Sequence, residues 1–273
     1  MPSFSVATWN INSVRLRHDL VMHFLREHRP DMLCLQETKC PNDMFPFGEF
    51  RKFGYQHIAI SGKKGYNGVA TLSLHPFHRT DKRSLTGRED DARHIAVTLD
   101  DSPKGAAGLT VHNFYVPAGG DVADPTVNVK FAHKLEFLAD LEEMATTGKA
   151  ERKKEIIVGD LNIAPLEHDV WSHKQLLDVV SHTPIETTTL ERLRKAGGWV
   201  DTARHLRPEP EKLYSWWSYR AADWTAANKG RRLDHIWLSD DIGDAATDIN
   251  FLREARGWER PSDHVPVIAT LEF

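Results

Sequence analysis

The sequence predicts a mixed α/β fold, a four-layer sandwich of two packed sheets with helices outside. Three observations carry this expectation. Short apolar, β-branched runs recur along the chain, several near-continuous, as strands covered on both faces are. Amphipathic helical patterns lie between some of them. Hairpin-like pairs of runs are common and regular strand–helix–strand units few, which two packed sheets accommodate.

The elements follow in order. Residues 4–9 read as the first strand. Leu16, Leu20, Phe24 and Leu25 repeat every three or four positions and predict a helix, with Asn12 or Ser13 as its cap. Strands follow at 31–36, 55–60, 68–74, 94–99 and 109–116. Phe131, Leu135, Leu138, Leu141 and Met144 form one helical stripe, and 156–159 the strand after it. Thr183-Pro184 opens a third helix that stops at Gly197-Gly198. Residues 234–238 and 265–271 are the closing strands.

The 273 residues contain 40% hydrophobic side chains, enough for a substantial core, with no linker, repeat or low-complexity tract. A single domain over 1–273 is expected. The N-terminus has no basic stretch followed by an apolar one, and no segment approaches the roughly 20 apolar residues needed to span a bilayer. A soluble, cytoplasmic protein with no membrane partner is expected. Cys34 lies in an apolar run and Cys40 just beyond it, an arrangement that suits buried thiols better than a disulfide or a nucleophile. Net charge is −4, which by itself does not call for a polyanion, yet basic residues gather at Lys63-Lys64, at 229–232 and at Arg253, Arg256 and Arg260.

Chemistry-bearing residues fall repeatedly at the ends of apolar runs. Asn10 and Asn12 end the first strand, Glu37 the second, Asn113 and Tyr115 another, and Asp160 and Asn162 the strand after the long helix; Asp263-His264 precedes the last. Any one of these could be a turn former. Together they predict one pocket where strands converge. Carboxylates and amides without a Cys/His cluster favour an oxygen-ligated ion, Mg2+ or Mn2+. Glu37 and Asp263 would supply charge and Asn10 a neutral oxygen. An Asp-His combination adds acid–base capacity, so phosphate-ester hydrolysis is the reaction class expected.

Seven segments resemble the exonuclease III and abasic-site endonuclease branch of the endonuclease/exonuclease/phosphatase superfamily. They are Thr8-Trp9-Asn10-Ile11-Asn12, Leu35-Gln36-Glu37-Thr38-Lys39, Tyr66-Asn67-Gly68-Val69-Ala70, Asn113-Phe114-Tyr115-Val116-Pro117, Gly159-Asp160-Leu161-Asn162, Arg232-Leu233-Asp234-His235 and Ser262-Asp263-His264-Val265-Pro266. They stand in the family's order from residue 8 to residue 266.

The resemblance implies roles. Glu37 would be the principal metal ligand, beside Asn10 and Asp263, with Asp160, Asn162 and His264 close enough to share the metal site. Asp160 would handle the proton of the attacking water or leaving oxygen, and Asn162 would hold the nucleophile. Tyr115 would touch the phosphate. His264, oriented by Asp234, would clamp a phosphate oxygen. A histidine held by a carboxylate is also what a general base looks like, so the base is left between Asp160 and His264. Two segments depart from the pattern: Pro117-Ala118-Gly119-Gly120 lacks an asparagine often found there, and Asn12-Ser13-Val14-Arg15 stands for the common Asn-Gly-Leu-Arg.

The resemblance further implies double-stranded DNA as substrate, especially abasic or 3′-blocked duplexes. It implies cleavage 5′ to abasic sites, 3′→5′ exonuclease and 3′-end trimming by a monomer. Aromatics beside arginines in Tyr214-Ser215-Trp216-Trp217-Ser218-Tyr219-Arg220 suit a displaced base. Trp217, rather than Trp216, is expected to face DNA, with Asn67, Arg220, Trp224, Asn228 and Trp258. The alternatives are a phosphoinositide or sphingolipid phosphodiesterase and a catalytically silent nucleic-acid-binding relative.

Overall fold

The computed structural model describes residues 3–87, 91–100, 104–147, 149 and 152–273. The first half comprises β1 (Ser3–Asn10), α1 (His18–His28), β2 (Met32–Gln36), α2 (Phe47–Lys52), β3 (His57–Ser61), β4 (Val69–Ser73), β5 (Phe77–Asp81), β6 (His94–Leu99) and β7 (Thr110–Tyr115). The middle adds α3 (Val129–Thr146), β8 (Glu155–Asp160), α4 (His173–Leu176), α5 (Pro184–Gly197), β9 (Trp199–Asp201) and α6 (Thr202–Leu206). The last part holds β10 (Trp216–Trp217), α7 (Trp224–Ala227), β11 (Gly230–Arg231), β12 (Asp234–Ser239), β13 (Ala246–Phe251) and β14 (Val267–Glu272).

Two six-stranded sheets result, ordered β13-β14-β1-β2-β4-β3 and β5-β6-β7-β8-β12-β9. Side-chain alternation decides which residues meet. Phe4 and Val6 of β1, Met32 and Cys34 of β2, Ile156 and Val158 of β8 and Ile236 and Leu238 of β12 form one buried cluster between the sheets. Their odd or even neighbours face outward. Trp9, Leu33 and Leu35 pack with Val21, Phe24 and Leu25 of α1. Phe114, Ile157 and Trp237 pack with Phe137, Leu138 and Leu141 of α3 and Leu190 and Leu193 of α5. The four layers predicted from the sequence are the layers observed.

Helix α5 starts and stops as predicted: Thr183 and Glu186 form a reciprocal cap, Pro184 opens the helix and Gly198 ends it at φ +66. Helix α1 differs. It begins at His18 after Arg17, with no side-chain cap. Asn12 and Ser13 have φ of 47 and 89, a left-handed geometry unlike the extended one of an N-cap. Leu16 is 59% exposed, outside the helix and off its buried stripe. No helix among the described residues is long and apolar enough to cross a membrane. Both cysteines are buried and free, and burial pushes the Cys34 thiol up to about 12, so neither is a ready nucleophile.

Candidate active site

The parity that fills the inter-sheet core with aliphatics places polar groups at one end of it. Continuing the inner face of β1 past Val6 gives Thr8 and Asn10; continuing β8 past Val158 gives Asp160. Strand pairing then sets the register. Parallel β7 and β8 bring Tyr115 opposite Asp160, and antiparallel β12 brings Asp234 opposite Asp160 from the other side. Gly159 lies at φ +139 where a Cβ would collide with the Phe114 carbonyl, so only glycine permits this close pairing. The other sheet contributes Asn10 and, just past β2, Glu37.

Asn10 bridges the sheets. Its amide nitrogen donates to Glu37 Oε1 (2.9 Å) and to Asp160 Oδ2 (2.8 Å), while its oxygen accepts from the Asn12 backbone (3.0 Å). Asn10 thus turns its nitrogen to the two carboxylates, while its oxygen accepts one backbone N–H and keeps a second lone pair. Tyr115 donates its hydroxyl to Glu37 Oε1 (2.8 Å), and Lys39 Nζ lies 2.8 Å from Glu37 Oε2. Burial opposes ionisation of Glu37, but the Lys39 ammonium and these donors outweigh it and hold the carboxyl below its usual range. Tyr115 is pushed well above the ordinary tyrosine value by burial and by Glu37 and Asp160, so it keeps its proton. Arg93 covers the Tyr115 ring at 4.7 Å.

On the other side, His264 Nδ1 lies 2.8 Å from Asp234 Oδ2 and Nε2 lies 3.6 Å from Asp160 Oδ2. The Asp234 backbone and Ser262 brace this arrangement: Ser215 Oγ accepts from Asp234 N, and Ser262 Oγ donates to the Asn10 carbonyl and accepts from His264 N. Burial disfavours charge on His264, yet Asp234 and Asp160 outweigh it and raise its pKa to about 10. Burial, with Asp234 and Glu37, pushes Asp160 up to about 7 against the opposing pull of His264 and Asn10. The Asp160 carboxylate also accepts from the Asn162 backbone (2.9 Å), while Asn162, at φ 54, donates its amide to the Val116 carbonyl (2.8 Å). Glu37 too has a left-handed φ, of 48. Strained backbone at both residues marks a site held by its surroundings.

Asp160, Asp234 and His264 place ligand atoms within 4.8 Å of one another. These three could hold an ion, and both ring nitrogens of His264 face carboxylates, so the same atoms also form an ion-paired triad. Glu37 fits an ion better. It is ionised, and a cation already satisfies it, the Lys39 ammonium that also reaches Asn12 Oδ1 at 2.6 Å. Asp263, held through Asn12 (3.3 Å) and Trp216 (3.0 Å), lines the same cleft as Glu37 and Asp160 and offers a further carboxylate.

These groups line a cleft of about 560 Å³ with Ser181, Trp216, Arg220, Lys229, Arg231 and Leu233. A larger hollow of about 620 Å³ near Lys63 and Lys82 lies apart from the carboxylates, so the chemistry and not size selects the site. Of the residues expected to face DNA, Arg220 lines the cleft. Trp217 does not: it is 2% exposed, packed against Tyr214 and Trp224, and its indole donates to Asn228. Trp216 faces the cleft in its place, because adjacent strand residues point to opposite sides. Trp224 and Asn228 support Trp217 and Arg253 rather than the cleft. Trp258 packs on Trp9 and His23 beside a separate hollow. Buried Asn67 ties its amide to Asp91. Lys39 and Trp216 lie in segments whose pattern assigns them no role, Arg231 lies in the basic stretch 229–232, and Lys134 carries no local signal within α3.

Comparison with known proteins agrees with this geometry. The sequence profile of the endonuclease/exonuclease/phosphatase family matches residues 7–264. Exodeoxyribonuclease III of Haemophilus influenzae is 31% identical over 268 residues, covering 96% of this chain and 97% of that protein. A 3′ phosphatase from Neisseria, solved with a product DNA hairpin, superposes with a TM-score of 0.88 at 32% identity, over 99% of this chain and 100% of that one. An AP endonuclease from Archaeoglobus fulgidus superposes equally well, with a TM-score of 0.88 at 31% identity and the same coverage. From residue 7 to 264, in sequence and in fold, the chain belongs to the endonuclease/exonuclease/phosphatase family.

Proposed function

We propose that this DNA-repair nuclease hydrolyses phosphodiester bonds of duplex DNA 5′ to abasic sites and at blocked 3′ ends, as a cytoplasmic monomer using Mg2+ or Mn2+. The observation that carries the reading is the pairing of Asp160 with His264 and Asp234 on one side and with the Asn10–Glu37 contact on the other. Glu37 and Asp263, with the Asp160 carboxyl, would hold the metal. When bound, the ion neutralises charge on the phosphate and on the leaving oxygen.

The remaining work falls to the chain. With a pKa of about 7, Asp160 can accept a proton from the attacking water near neutral pH and return it to the departing 3′ oxygen. His264, raised to about 10, arrives charged and is suited to hold a phosphate oxygen, which supports Asp160 as the base. Tyr115 keeps its proton, which Glu37 accepts in the free protein, and can turn it to a phosphate oxygen once substrate is bound. Asn162, fixed by Val116 and by Asp160, positions the water. A complete acid–base set supports catalysis over a silent binding relative.

The test uses purified protein on matched duplexes, intact, abasic or ending in 3′-phosphate, with and without EDTA. Cleavage of the abasic duplex and removal of the 3′-phosphate, both abolished by EDTA, are expected. Activity persisting in EDTA would refute the metal role, and turnover of a phospholipid headgroup with no DNA cleavage would refute the substrate.

A further inference from the structure

Arg231 stands two strands from His264 on the cleft wall. In the small sheet His264 pairs with Trp216, and Trp216 pairs with Arg231. Directly opposed residues of antiparallel strands project to one face, so imidazole, indole and guanidinium follow one another along the same wall. Two strand spacings separate Arg231 from His264 by about 10 Å. The guanidinium carbon sits 5.2 Å from the centre of the Trp216 ring, on one face of the indole.

The group is fixed and incompletely satisfied. Nη1 donates to the Val180 carbonyl (3.0 Å) and to Ser181 Oγ (2.7 Å), whereas Nε is buried with no hydrogen-bond partner. Burial lowers the pKa of Arg231, though an arginine keeps its charge in proteins. The other lysine and arginine on the cleft, Lys229 and Arg220, are exposed, and Lys229 lies over Trp171 at 4.6 Å. A partly desolvated cation held in place gains more from an anion than an exposed one does.

We propose that Arg231 is a charge-selective subsite for the group beyond the scissile phosphate. It accepts an anionic substituent on a 3′-terminal phosphate, such as the glycolate carboxylate, in preference to the neutral sugar of an abasic nucleotide. The proposal rests on the cleft being a nuclease site. On a 3′-phosphoglycolate end, water adds to phosphorus and the bond from phosphorus to the DNA 3′ oxygen breaks. Asp160 passes the water's proton to that oxygen, and phosphoglycolate departs with its carboxylate on Arg231. A neutral sugar brings no charge to the guanidinium already seated on Trp216.

The test compares kcat/KM for a 3′-phosphoglycolate duplex with that for an internal tetrahydrofuran abasic duplex. Arg231→Leu should lower this ratio at least tenfold. Arg231→Gln, which keeps a donor for Val180 and Ser181, should lower it in the same sense and serves if the leucine variant fails to fold. As a readout apart from turnover, phosphoglycolate should inhibit the wild type more strongly than ethyl phosphate does, and Arg231→Leu or Arg231→Gln should erase that difference. A ratio unchanged within twofold in the folded variants, whatever the absolute rates, would overturn the proposal. Wild-type protein that turns over neither duplex would overturn the nuclease reading instead.

Discussion

Asp160 is enclosed between Asp234 and Tyr115 on its own sheet and Asn10 on the other, and its ionisation is expensive. An unfolded aspartate ionises near 3.8, whereas burial holds Asp160 at about 7. Between these values the folded state binds the extra proton, so its contribution to stability is complete below about pH 4 and is lost as pH rises through 7. Three units correspond to on the order of 4 kcal/mol at pH 8. Asp160→Asn should therefore abolish turnover and raise the stability of the metal-free protein by about 2–4 kcal/mol at pH 8, with the gain vanishing near pH 4. Urea melts in EDTA at the two pH values check this; a variant less stable than wild type at pH 8 would contradict it. The importance of Asp160 was legible in the sequence because its segment has a recognisable pattern. The choice between Trp216 and Trp217 was not: both are aromatic, and only the partners of β10 decide which of two adjacent residues turns inward.

Helices α3 and α5 meet beneath the loop that carries Asp160 and Asn162. Lys134 of α3, fully buried, pairs with Glu186 of α5 and donates to the Asn162 carbonyl (2.8 Å) and to the Ala118 carbonyl (3.3 Å). Glu186 also accepts from Ser181 N and Thr183 Oγ, so the first turn of α5 is tied to the catalytic loop through one ion pair. Removing one partner leaves an uncompensated buried charge. Glu186→Gln should cost about 3–5 kcal/mol, while the double variant Lys134→Met, Glu186→Leu should recover much of that loss. Denaturant titrations of the single and double variants decide it, and strictly additive losses would show that the pair is not coupled. The caps of α5 were readable from Thr183-Pro184 and Gly197-Gly198, since capping is local chemistry. The ion pair was not, because it joins positions 52 residues apart by number. Strands β5, β9 and β13 also escaped notice; they are short or polar and lie at sheet edges, where alternation weakens because a side faces solvent.

Because Glu37 leaves one sheet and Asp160 and Asp234 stand on the other, the site exists only while the two sheets stay in register. Asn113 is central to that register. Expected at the cleft as one more polar strand end, it instead points from β7 into the interface. There its amide donates to the Leu35 carbonyl (3.2 Å) and the Ala70 carbonyl (3.0 Å) of the facing sheet and accepts from Gln36 Nε2 (2.7 Å). Among apolar neighbours these bonds can form in only one relative placement of the sheets, whereas Val111 and Val158 tolerate sliding. Replacing Asn113 by leucine removes a donor from both carbonyls, at about 1–3 kcal/mol for each group left unsatisfied, while Gln36 keeps Thr8 Oγ1 and the Cys34 carbonyl as acceptors. Asn113→Leu should thus lower stability by about 2–4 kcal/mol and reduce kcat, though Asn113 touches no reacting group. If the chain is one cooperative domain, loss of activity and of tryptophan fluorescence should share a single urea midpoint in wild type and variant, with equal slopes. Two separated transitions would mean that the sheets unfold independently, and an active variant of wild-type stability would mean that apolar packing alone sets the register on which Glu37 and Asp160 depend.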